Sequence, residues 1–431
     1  MAAKDYKGIL AKALVGVIPD KSIDAEIAKV VAAINNSLKQ KKLKARCILG
    51  GSVAKGTFLK GDHDIDLFVK FDYSYKDKDI SKLLHAALKH SFKDNLRNLE
   101  EIHGSRGYYR FSAKLFSYEI VPVLSVKNPK KAMNVTDMSP LHVEWVLKSS
   151  QRIRDEIRIA KLFCKAAGIY GAESYIKGFS GHVLDILIIH FKGFIQLLKA
   201  SQPWKKRIAH DEKIVIDFYN AHKGYALRNI NTSKMQGPLV VVDPILSSRN
   251  AAAALSRESV EIFMKNAERF LKKPSEDFFM RKRIDEDYFR KAAKGKKLIL
   301  LNVVPLKDKD DIMGAKLLKV FSHLKSQLKF YDFEVNDKSS WSWDKGAGKA
   351  LMGIILDKDS LPRTKVHEGP PIALKSYADA FRKIYKKTSV RNNRLYAEIA
   401  RKYTDAKELV NDAIKSDYVI EKVKKIGIIK V

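Results

Sequence analysis

The chain has 431 residues, 45% of them hydrophobic and 10% aromatic, which excludes a disordered protein and predicts about two to four folded domains. Lysine and arginine number 82 against 49 acidic residues, a formal charge of +33. This surplus runs through the whole chain and favours a polyanionic partner such as nucleic acid; adaptation of an entire proteome to an unusual cytoplasm is the alternative.

Cysteine usage and the start of the chain indicate the compartment. Cys47 and Cys164 lie in an apolar strand pattern and an apolar helix pattern, as expected for core residues in a reducing compartment, and they argue against a disulfide framework. The opening segment is too charged for a signal peptide, and no apolar run of about 18 residues predicts a membrane span. We therefore expect a soluble cytoplasmic protein.

The first part of the chain has the pattern of a small α+β unit. Apolar residues recur at helical spacing from Lys21 onward, and a glycine–serine turn at residues 50–52 separates two short strands. The predicted elements are a helix from Lys21, a strand at Arg46–Leu49, a short helix through Phe58, a strand at Ile65–Phe71, a helix at Ile80–Phe92, and strands at Tyr108–Phe116 and Tyr118–Val123.

After Ser139-Pro140 the pattern becomes helical and then mixed. The predicted helix at Phe179–Lys199 is apolar nearly all round, which is typical of the buried centre of a helical domain. Further on, a strand–helix–strand unit with a basic helix face resembles the small sheets that bind RNA. The other predicted elements are helices at Arg152–Ala167, Val260–Leu271, Ile312–Phe330 and 405–416, and strands at Leu239–Val242, 297–305, Lys349–Leu356 and 394–403.

Two aspartates with one residue between them begin the strand that follows the turn. Side chains two apart on a strand share a face, so Asp64 and Asp66 project together while Ile65 and Leu67 enter the core. Carboxylates this close repel each other, and Mg²⁺, which prefers oxygen ligands, removes the conflict. Taken alone, the pair is more typical of a solvated acidic turn that leads into a strand.

Two further features favour the metal. The turn Gly50-Gly51-Ser52 offers backbone N–H groups and a hydroxyl to a triphosphate, and Lys55 adds a positive charge one turn later. Glu119, in SYEIVPVL, is an acid in an apolar run and would be costly to bury without a cation. We expect Glu119 on a strand of the same sheet, as the third metal ligand.

The sequence contains GGS at residues 50–52 and DID at residues 64–66, with eleven residues between them. This arrangement resembles the nucleotidyltransferase superfamily typified by DNA polymerase beta. GGSVAKGTFLKGDHDIDLFVKF, AGIYGAESYIKGFSGHVLDILI, VVDPILSSRNAAAALS and RLYAEIARKYTDAKELV are similar, in order, to segments of the archaeal, class I CCA-adding tRNA nucleotidyltransferases. The resemblance covers nearly the whole chain, more loosely at 277–377. It implies an α+β multidomain fold: a catalytic nucleotidyltransferase head at 1–140, a helical, nucleotide-binding neck at 141–275, and a tRNA-binding body and tail at 276–431, the body with an RNA-binding-like sheet.

The resemblance also implies roles for single residues. Asp64, Asp66 and Glu119 would be the catalytic metal ligands, although the family's third ligand is usually aspartate. Ser52 and Lys55 would contact the triphosphate, Lys55 standing where the family commonly has arginine. The nucleotide contacts that the resemblance adds are His142, Lys161, Tyr170, Arg249 and Asn250, with Arg249 helping to read the incoming base.

Lys161 has separate support from its position. It lies on the stripe of its helix that should be buried, where a lysine is unusual and an anion-binding cleft would explain it. A lysine extending to solvent from the edge of the stripe is the alternative. The family's histidine-containing segment is altered here to EEIHGSRGYY, which leaves His103 and Arg106 as alternatives for its role, and Ala254 stands where the family often has a second asparagine.

The activity that the resemblance implies is stepwise, template-independent addition of C, C and A to the tRNA 3′ end from CTP and ATP, with release of pyrophosphate, and repair of damaged CCA ends. Two Mg²⁺ ions, typically ~4 Å apart, would lower the pKa of the RNA 3′-hydroxyl and offset charge on the leaving pyrophosphate. The basic neck, body and tail would hold the acceptor stem and T arm of tRNA. A homodimer is compatible with this assignment.

Two other functions remain open from the residues. Oligoadenylate synthetases and poly(A) polymerases share the head motif, and use of CTP with a stop after three nucleotides separates them from CCA addition. An RNA-binding protein with an inactive site is permitted by the charge alone, but the complete set of three acids argues against it.

Overall fold

The computed structural model describes residues 6–18, 22–62, 64–91, 99–102, 106–113 and 116–429. The chain forms two compact units, residues 1–281 and 282–431. The first unit spans the ranges predicted for head and neck, and the second spans nearly all of the range predicted for body and tail. The division of the first unit into two domains at residue 140 stays a prediction.

A mixed sheet organises the first part of unit one. Its strands run in the order β1-β2-β5-β4-β3, with β2 and β5 parallel and the other pairs antiparallel. The elements are α1 (Tyr6–Val15), α2 (Ser22–Gln40), β1 (Ala45–Leu49), α3 (Gly51–Ala54), β2 (Asp64–Phe71), α4 (Ile80–Ser91), β3 (Leu99–Ile102), β4 (Tyr108–Ala113) and β5 (Phe116–Leu124). Their apolar faces share one core, which includes Ile34, Leu67, Leu84 and Ile120.

The register of β2 and β5 brings two predicted site residues together. Asp66 lies opposite Glu119, and Asp64 lies opposite Ser117. On the other edge of β5, Arg110 of β4 also lies opposite Glu119. Because residues opposite each other in a sheet point to the same face, Arg110, Glu119 and Asp66 form a row across three strands. The prediction that Glu119 occupies the same sheet as the aspartates is therefore confirmed.

The second part of unit one is mainly helical, as predicted. Its elements are α5 (Ser139–Leu147), α6 (Gln151–Ala166), α7 (Gly181–Phe191), α8 (Phe194–Ala200), α9 (Trp204–Ala209), β6 (Ile214–Ile216), α10 (Ala226–Asn229), β7 (Leu239–Val241) and α11 (Arg257–Lys272). The predicted single helix at Phe179–Lys199 is wrong in one respect. Lys192 (φ 60°) and Gly193 (φ 149°) interrupt it, and the chain continues as α8.

The helical core extends to the beginning of the chain. Helix α1, which was not predicted, packs its apolar side against this core, and the Tyr6 hydroxyl donates to the Leu271 carbonyl at 3.2 Å. Cys47 and Cys164 are free and buried in the sheet and helical cores, which confirms their predicted place. Within the described ranges, no helix has both the length and the apolar character to cross a membrane.

Unit two has two sheets. The first has the order β10-β11-β8-β15, with β9 paired to β11, and the second has the order β12-β14-β13. The elements are α12 (Glu286–Ala293), β8 (Lys297–Pro305), α13 (Asp310–Phe330), β9 (Glu334–Val335), β10 (Ser340–Asp344), β11 (Lys349–Lys358), β12 (Thr364–Pro371), α14 (Lys375–Ile384), β13 (Thr388–Arg391), β14 (Arg394–Ala400), α15 (Ala406–Ala413), α16 (Asp417–Ile420) and β15 (Val423–Ile428).

The predicted strand–helix–strand unit is confirmed as β8, α13 and β11. Strand β15, which the sequence did not reveal, pairs with β8 and completes the sheet. Its lysine-rich sequence VKKIGI lacks the apolar alternation of a half-buried strand, so its position depends on pairing with β8 rather than on its own pattern.

Candidate active site

The glycine–serine turn lies directly against the acids of β2. Gly51 has φ 53°, and a Cβ atom there would lie 1.7 Å from Oδ2 of Asp66. A Cβ on Gly50 would lie 2.4 Å from the Phe68 ring. The Gly50 amide also donates to the Asp66 carbonyl at 2.8 Å. Both glycines are thus required for the backbone to approach β2, and the turn places Ser52 beside Asp66.

Negative charge accumulates around Asp66. Burial and the neighbouring Glu119 and Asp64 together raise the pKa of the Asp66 carboxyl to about 6, against the opposing effect of Lys55. The carboxylates of Asp64, Asp66 and Glu119 share one face of the sheet through the β2–β5 register. This set of hard oxygen donors with unbalanced negative charge fits a divalent cation.

Glu119 has a cationic neighbour within the sheet. Arg110 donates from Nη2 to Oε1 of Glu119 at 2.9 Å. Both side chains are about one-third exposed, at 34% and 27%. The longer glutamate arm is thereby held between Arg110 on one strand and Asp66 on the other, a contact that the sequence did not reveal.

A pocket of about 230 Å³ opens beside the turn. Five of the predicted site residues line it, together with His182 and Asp185, which were not predicted. Its lining residues are Gly51, Ser52, Lys55, Asp66, Lys161, Tyr170, Gly181, His182 and Asp185.

Two lysines supply positive charge to this pocket. Lys55 pairs with Asp185 at 2.7 Å, and both side chains are largely buried. Lys161 is 2% exposed and donates to the carbonyl and hydroxyl of Thr57 at 3.0 and 3.2 Å. Burial lowers the pKa of Lys161 to about 8. The predicted burial of Lys161 is therefore confirmed, and an anion beside it would favour its charged form.

Tyr170 lines the pocket next to Gly181. A Cβ atom on Gly181 would lie 3.2 Å from the Tyr170 hydroxyl, and the Lys165 ammonium lies 5.1 Å from the ring centroid. Burial raises the pKa of Tyr170 above its ordinary value, so its hydroxyl stays protonated and able to donate. These contacts point the phenol into the pocket.

A buried cluster around Asp243 adjoins the pocket. The Asp243 carboxylate accepts from His142 at 3.0 and 3.1 Å, from His182 at 3.3 Å, and from Arg249 at 2.5 Å. The two imidazole rings lie 4.1 Å apart. Because His182 also lines the pocket, the cluster links His142 and Arg249 to it.

His142, His182 and Asp243 have ligand atoms within 4.8 Å of one another, a spacing that a metal ion could use. The cation of Arg249 already neutralises the carboxylate, and each imidazole contacts it through Nε2, which explains the cluster without a metal. Asp64, Asp66 and Glu119 do not form so tight a group.

Two polar atoms of the pocket lack partners. Among the described residues, neither Oδ1 of Asp185 nor Nδ1 of His182 makes a hydrogen bond, although both atoms are buried. Burial lowers the pKa of His182 to about 4, so the ring is neutral at physiological pH. Unmatched buried polar atoms are costly, and a ligand in the pocket would remove that cost.

Asn250 is placed differently from the other predicted contacts. Its side-chain oxygen accepts from the amides of Val241 and Ala252, both at 2.9 Å, and its amide donates to Lys234 at 2.8 Å. With its amide committed to backbone groups, Asn250 shapes the loop that carries Arg249. Of the two alternatives near residue 105, Arg106 binds Asp137 and the Pro122 carbonyl, whereas His103 lies outside the described residues.

Three family models match the chain in succession. The nucleotidyltransferase domain matches residues 31–107, the tRNA nucleotidyltransferase second domain matches 155–280, and the C-terminal domain of the CCA-adding enzyme matches 294–422. The first match covers the turn and Asp64–Asp66. The second covers Lys161, Tyr170 and the Asp243 cluster apart from His142.

Similar proteins span most of the chain. The CCA-adding enzyme of Methanosarcina barkeri is 30% identical over 85% of this chain and 79% of its own length. That of Nanoarchaeum equitans is 31% identical over 83% and 84%. Among solved structures, the Cid1 poly(U) polymerase has a TM-score of 0.49 at 14% identity, over 65% of this chain and 99% of its own, a similarity too low to inform function.

Proposed function

The chain belongs to the archaeal CCA-adding enzymes, and on that premise we propose how its residues divide the reaction. Its activity is the addition of C, C and A to tRNA by nucleotidyl transfer. We propose that addition is stepwise and needs no nucleic-acid template, that CTP and ATP are the donors with pyrophosphate released, and that damaged CCA ends are repaired in the same way. The observation that carries the mechanism is the pairing of Asp66 with Glu119 beneath the Gly51 turn.

Asp64, Asp66 and Glu119 would hold the divalent cation, with Mg²⁺ the ion that suits their oxygen ligands. The crowding of negative charge around Asp66 supports this assignment. Bound there in a pair, the ions would activate the RNA 3′-hydroxyl and balance charge on the leaving phosphates. The protein's part is to keep three acids on one face of a rigid sheet, with Arg110 orienting Glu119.

The triphosphate would occupy the pocket beside the turn. Ser52 and the adjacent amides donate to phosphate oxygens, and Lys55 and Lys161 balance their charge. Tyr170 donates from its neutral hydroxyl. Two buried ammonium groups in a small pocket, one of them paired with a single carboxylate, support an anionic ligand.

The incoming base would meet the Asp243 cluster. Arg249 is one-third exposed and is fixed by Asp243, so its remaining donors can face a base edge. His142 and His182 support the carboxylate from the other side. Asn250 is proposed as a positioning residue for this loop rather than a nucleotide contact.

The charge and the cysteines of the chain bear on its partner and its compartment. The excess of basic residues supports contact with the acceptor stem and T arm of tRNA, largely through phosphates. Two free, buried cysteines are consistent with the cytoplasm. We also propose that the protein forms a homodimer, which gel filtration can test.

The direct test uses purified protein, Mg²⁺ and tRNA lacking its 3′ end, with CTP, ATP or both. We expect +CC with CTP alone and +CCA with both nucleotides. Asp66→Asn should abolish addition and leave tRNA binding largely intact, because only the metal ligand is lost. The exposed Asp77→Asn is the matched control and should retain full activity.

The products also separate the alternatives. A long run of A without CTP would indicate a poly(A) polymerase. Binding of tRNA without any incorporation would indicate an inactive RNA-binding protein. Full activity of Asp66→Asn would refute the metal assignment.

A further inference from the structure

Unit two has a pocket of its own, about 450 Å³ in volume. One wall is a face of α13 with His323 and Gln327, four residues apart, and Tyr331 continues it directly after the helix. The opposite wall comes from the segment around Tyr403, from α15 with Asp412, and from the start of α16 with Tyr418. None of these residues has a part in the chemistry proposed above.

Aromatic rings dominate the walls. The rings of His323 and Tyr418 lie 4.5 Å apart and are tilted by 33°, and those of Tyr331 and Tyr403 lie 4.9 Å apart, nearly perpendicular. Tyr418 is 43% exposed, which is unusual for a large aromatic side chain. Exposed rings beside an open pocket are the surfaces on which nucleobases stack.

Hydrogen-bonding groups and cations complete the pocket. Among the described residues, the Gln327 carboxamide makes no hydrogen bond, and Asp412 accepts only from the Tyr403 hydroxyl, at 3.1 Å. Lys402 lies 5.1 Å from the Tyr403 ring centroid, and Lys422 lies 3.5 Å from that of Tyr418. An amide and a carboxylate suit a base edge, and ammonium groups suit a phosphate.

We propose that this pocket binds one unpaired nucleotide of the RNA substrate. The base packs against the aromatic wall that includes His323 and Tyr418, its polar edge faces Gln327 and Asp412, and its phosphate meets Lys402. A base inside a duplex has its faces covered by stacking and its Watson–Crick edge covered by pairing, so the site selects single-stranded positions. The inference depends on the proposed use of tRNA and adds where an unpaired position is recognised.

The test uses the full chain and compares Tyr418→Ala and Gln327→Ala with Tyr377→Ala. Tyr377 is 67% exposed on α14 of the same unit and is the matched control. Affinity is measured by filter binding with tRNA lacking its 3′ end. We expect the two pocket variants to bind about tenfold more weakly, as loss of one stacked base predicts, and Tyr418→Phe and Tyr377→Ala to match wild type.

A second RNA, a fully paired acceptor-stem duplex with no unpaired nucleotide, separates base recognition from charge. All variants should bind this duplex as wild type does. Lys402→Ala should reduce the slope of log affinity against log salt for tRNA, whereas Tyr418→Ala should leave the slope unchanged, because only the lysine releases a counterion.

The inference is overturned if both pocket variants bind tRNA as Tyr377→Ala does, or if they weaken the duplex equally. Nucleotide addition at saturating tRNA keeps this result apart from the proposed function. Wild-type protein that adds CCA while the pocket variants bind normally refutes the inference alone. Wild-type protein that neither binds nor extends tRNA refutes the proposed function.

Discussion

Gly51 shows how strongly one side chain would disturb the site. It combines φ 53° with a position where a Cβ would overlap Oδ2 of Asp66. Gly51→Ala should therefore cost roughly 1–2 kcal/mol of backbone strain and displace the turn from the acids. We expect CCA addition to fall at least about 100-fold, which is of the size that misplacement of catalytic groups produces. The rate of addition and a thermal melt measure both effects.

Gly16→Ala is the control for this substitution, because nothing lies within 4 Å of the position where its Cβ would be. It should change neither rate nor melting temperature appreciably. Normal activity of Gly51→Ala would contradict the close approach of the turn to Asp66.

The raised pKa of Asp66 predicts a pH-dependent stability in protein free of metal. The carboxyl has a pKa of about 6 when folded and close to 4 when unfolded, so the folded state holds the proton more tightly. Stability should fall as pH rises from about 4 to 6, and the loss should persist at pH 8. Asp66→Asn removes this loss, about 3 kcal/mol at pH 8, and changes little at pH 4.

Melting curves in chelator at pH 4 and pH 8 test this expectation. The inactive variant should melt above wild type at pH 8, and Mg²⁺ should then stabilise wild type but not the variant. Equal melting temperatures at pH 8 in chelator would show that the carboxyl carries no such cost.

Among the secondary-structure elements, the junction between α7 and α8 and the helix α8 that follows it each carry a lysine, and the two can be compared. Lys192 has left-handed backbone with φ 60°, whereas Lys199 is helical, and both are exposed. Lys192→Gly should stabilise the protein by about 0.5–1 kcal/mol, because glycine adopts this conformation without strain. Lys199→Gly should destabilise it by about 1 kcal/mol. Urea unfolding measures both changes, and the same sign for both would refute the assignment.

Elements with clear periodicity could be predicted from the sequence. The helix at residues 310–330 and the strands carrying Asp66 and Glu119 follow local patterns, and only their ends differ. The break at Lys192 was missed because the apolar run continues through it, although Gly193 gave a signal. Strand β15 depends on its partner β8 and carries no pattern of its own.

The site residues that were predicted from the sequence are those that belong to recognisable sequence motifs. Asp185, an acid in the apolar run VLDILI, gave the same signal that identified Glu119, and it pairs with Lys55. His182 and Asp243 had no such signal, because their association joins residues 61 positions apart. Arg110 likewise depends on strand register.

For the whole molecule, the charge of +33 predicts a strong salt dependence of tRNA binding. Each phosphate neutralised adds about 0.7–0.9 to the slope of log affinity against log salt. Even two such contacts weaken binding about tenfold between 50 and 200 mM salt. Filter binding across that range should show at least this loss, and a flat response would argue against phosphate contacts as the main source of affinity.

The surface that binds helix α1 is completed long after the helix itself has been made. The Tyr6 hydroxyl meets a carbonyl 265 residues further on, which at ribosomal rates of 5–20 residues per second arrives roughly 10–50 s afterwards. Ten residues are too few for a helix that is stable alone. The nascent chain therefore exposes the apolar side of helix α1 without its native partner for that interval.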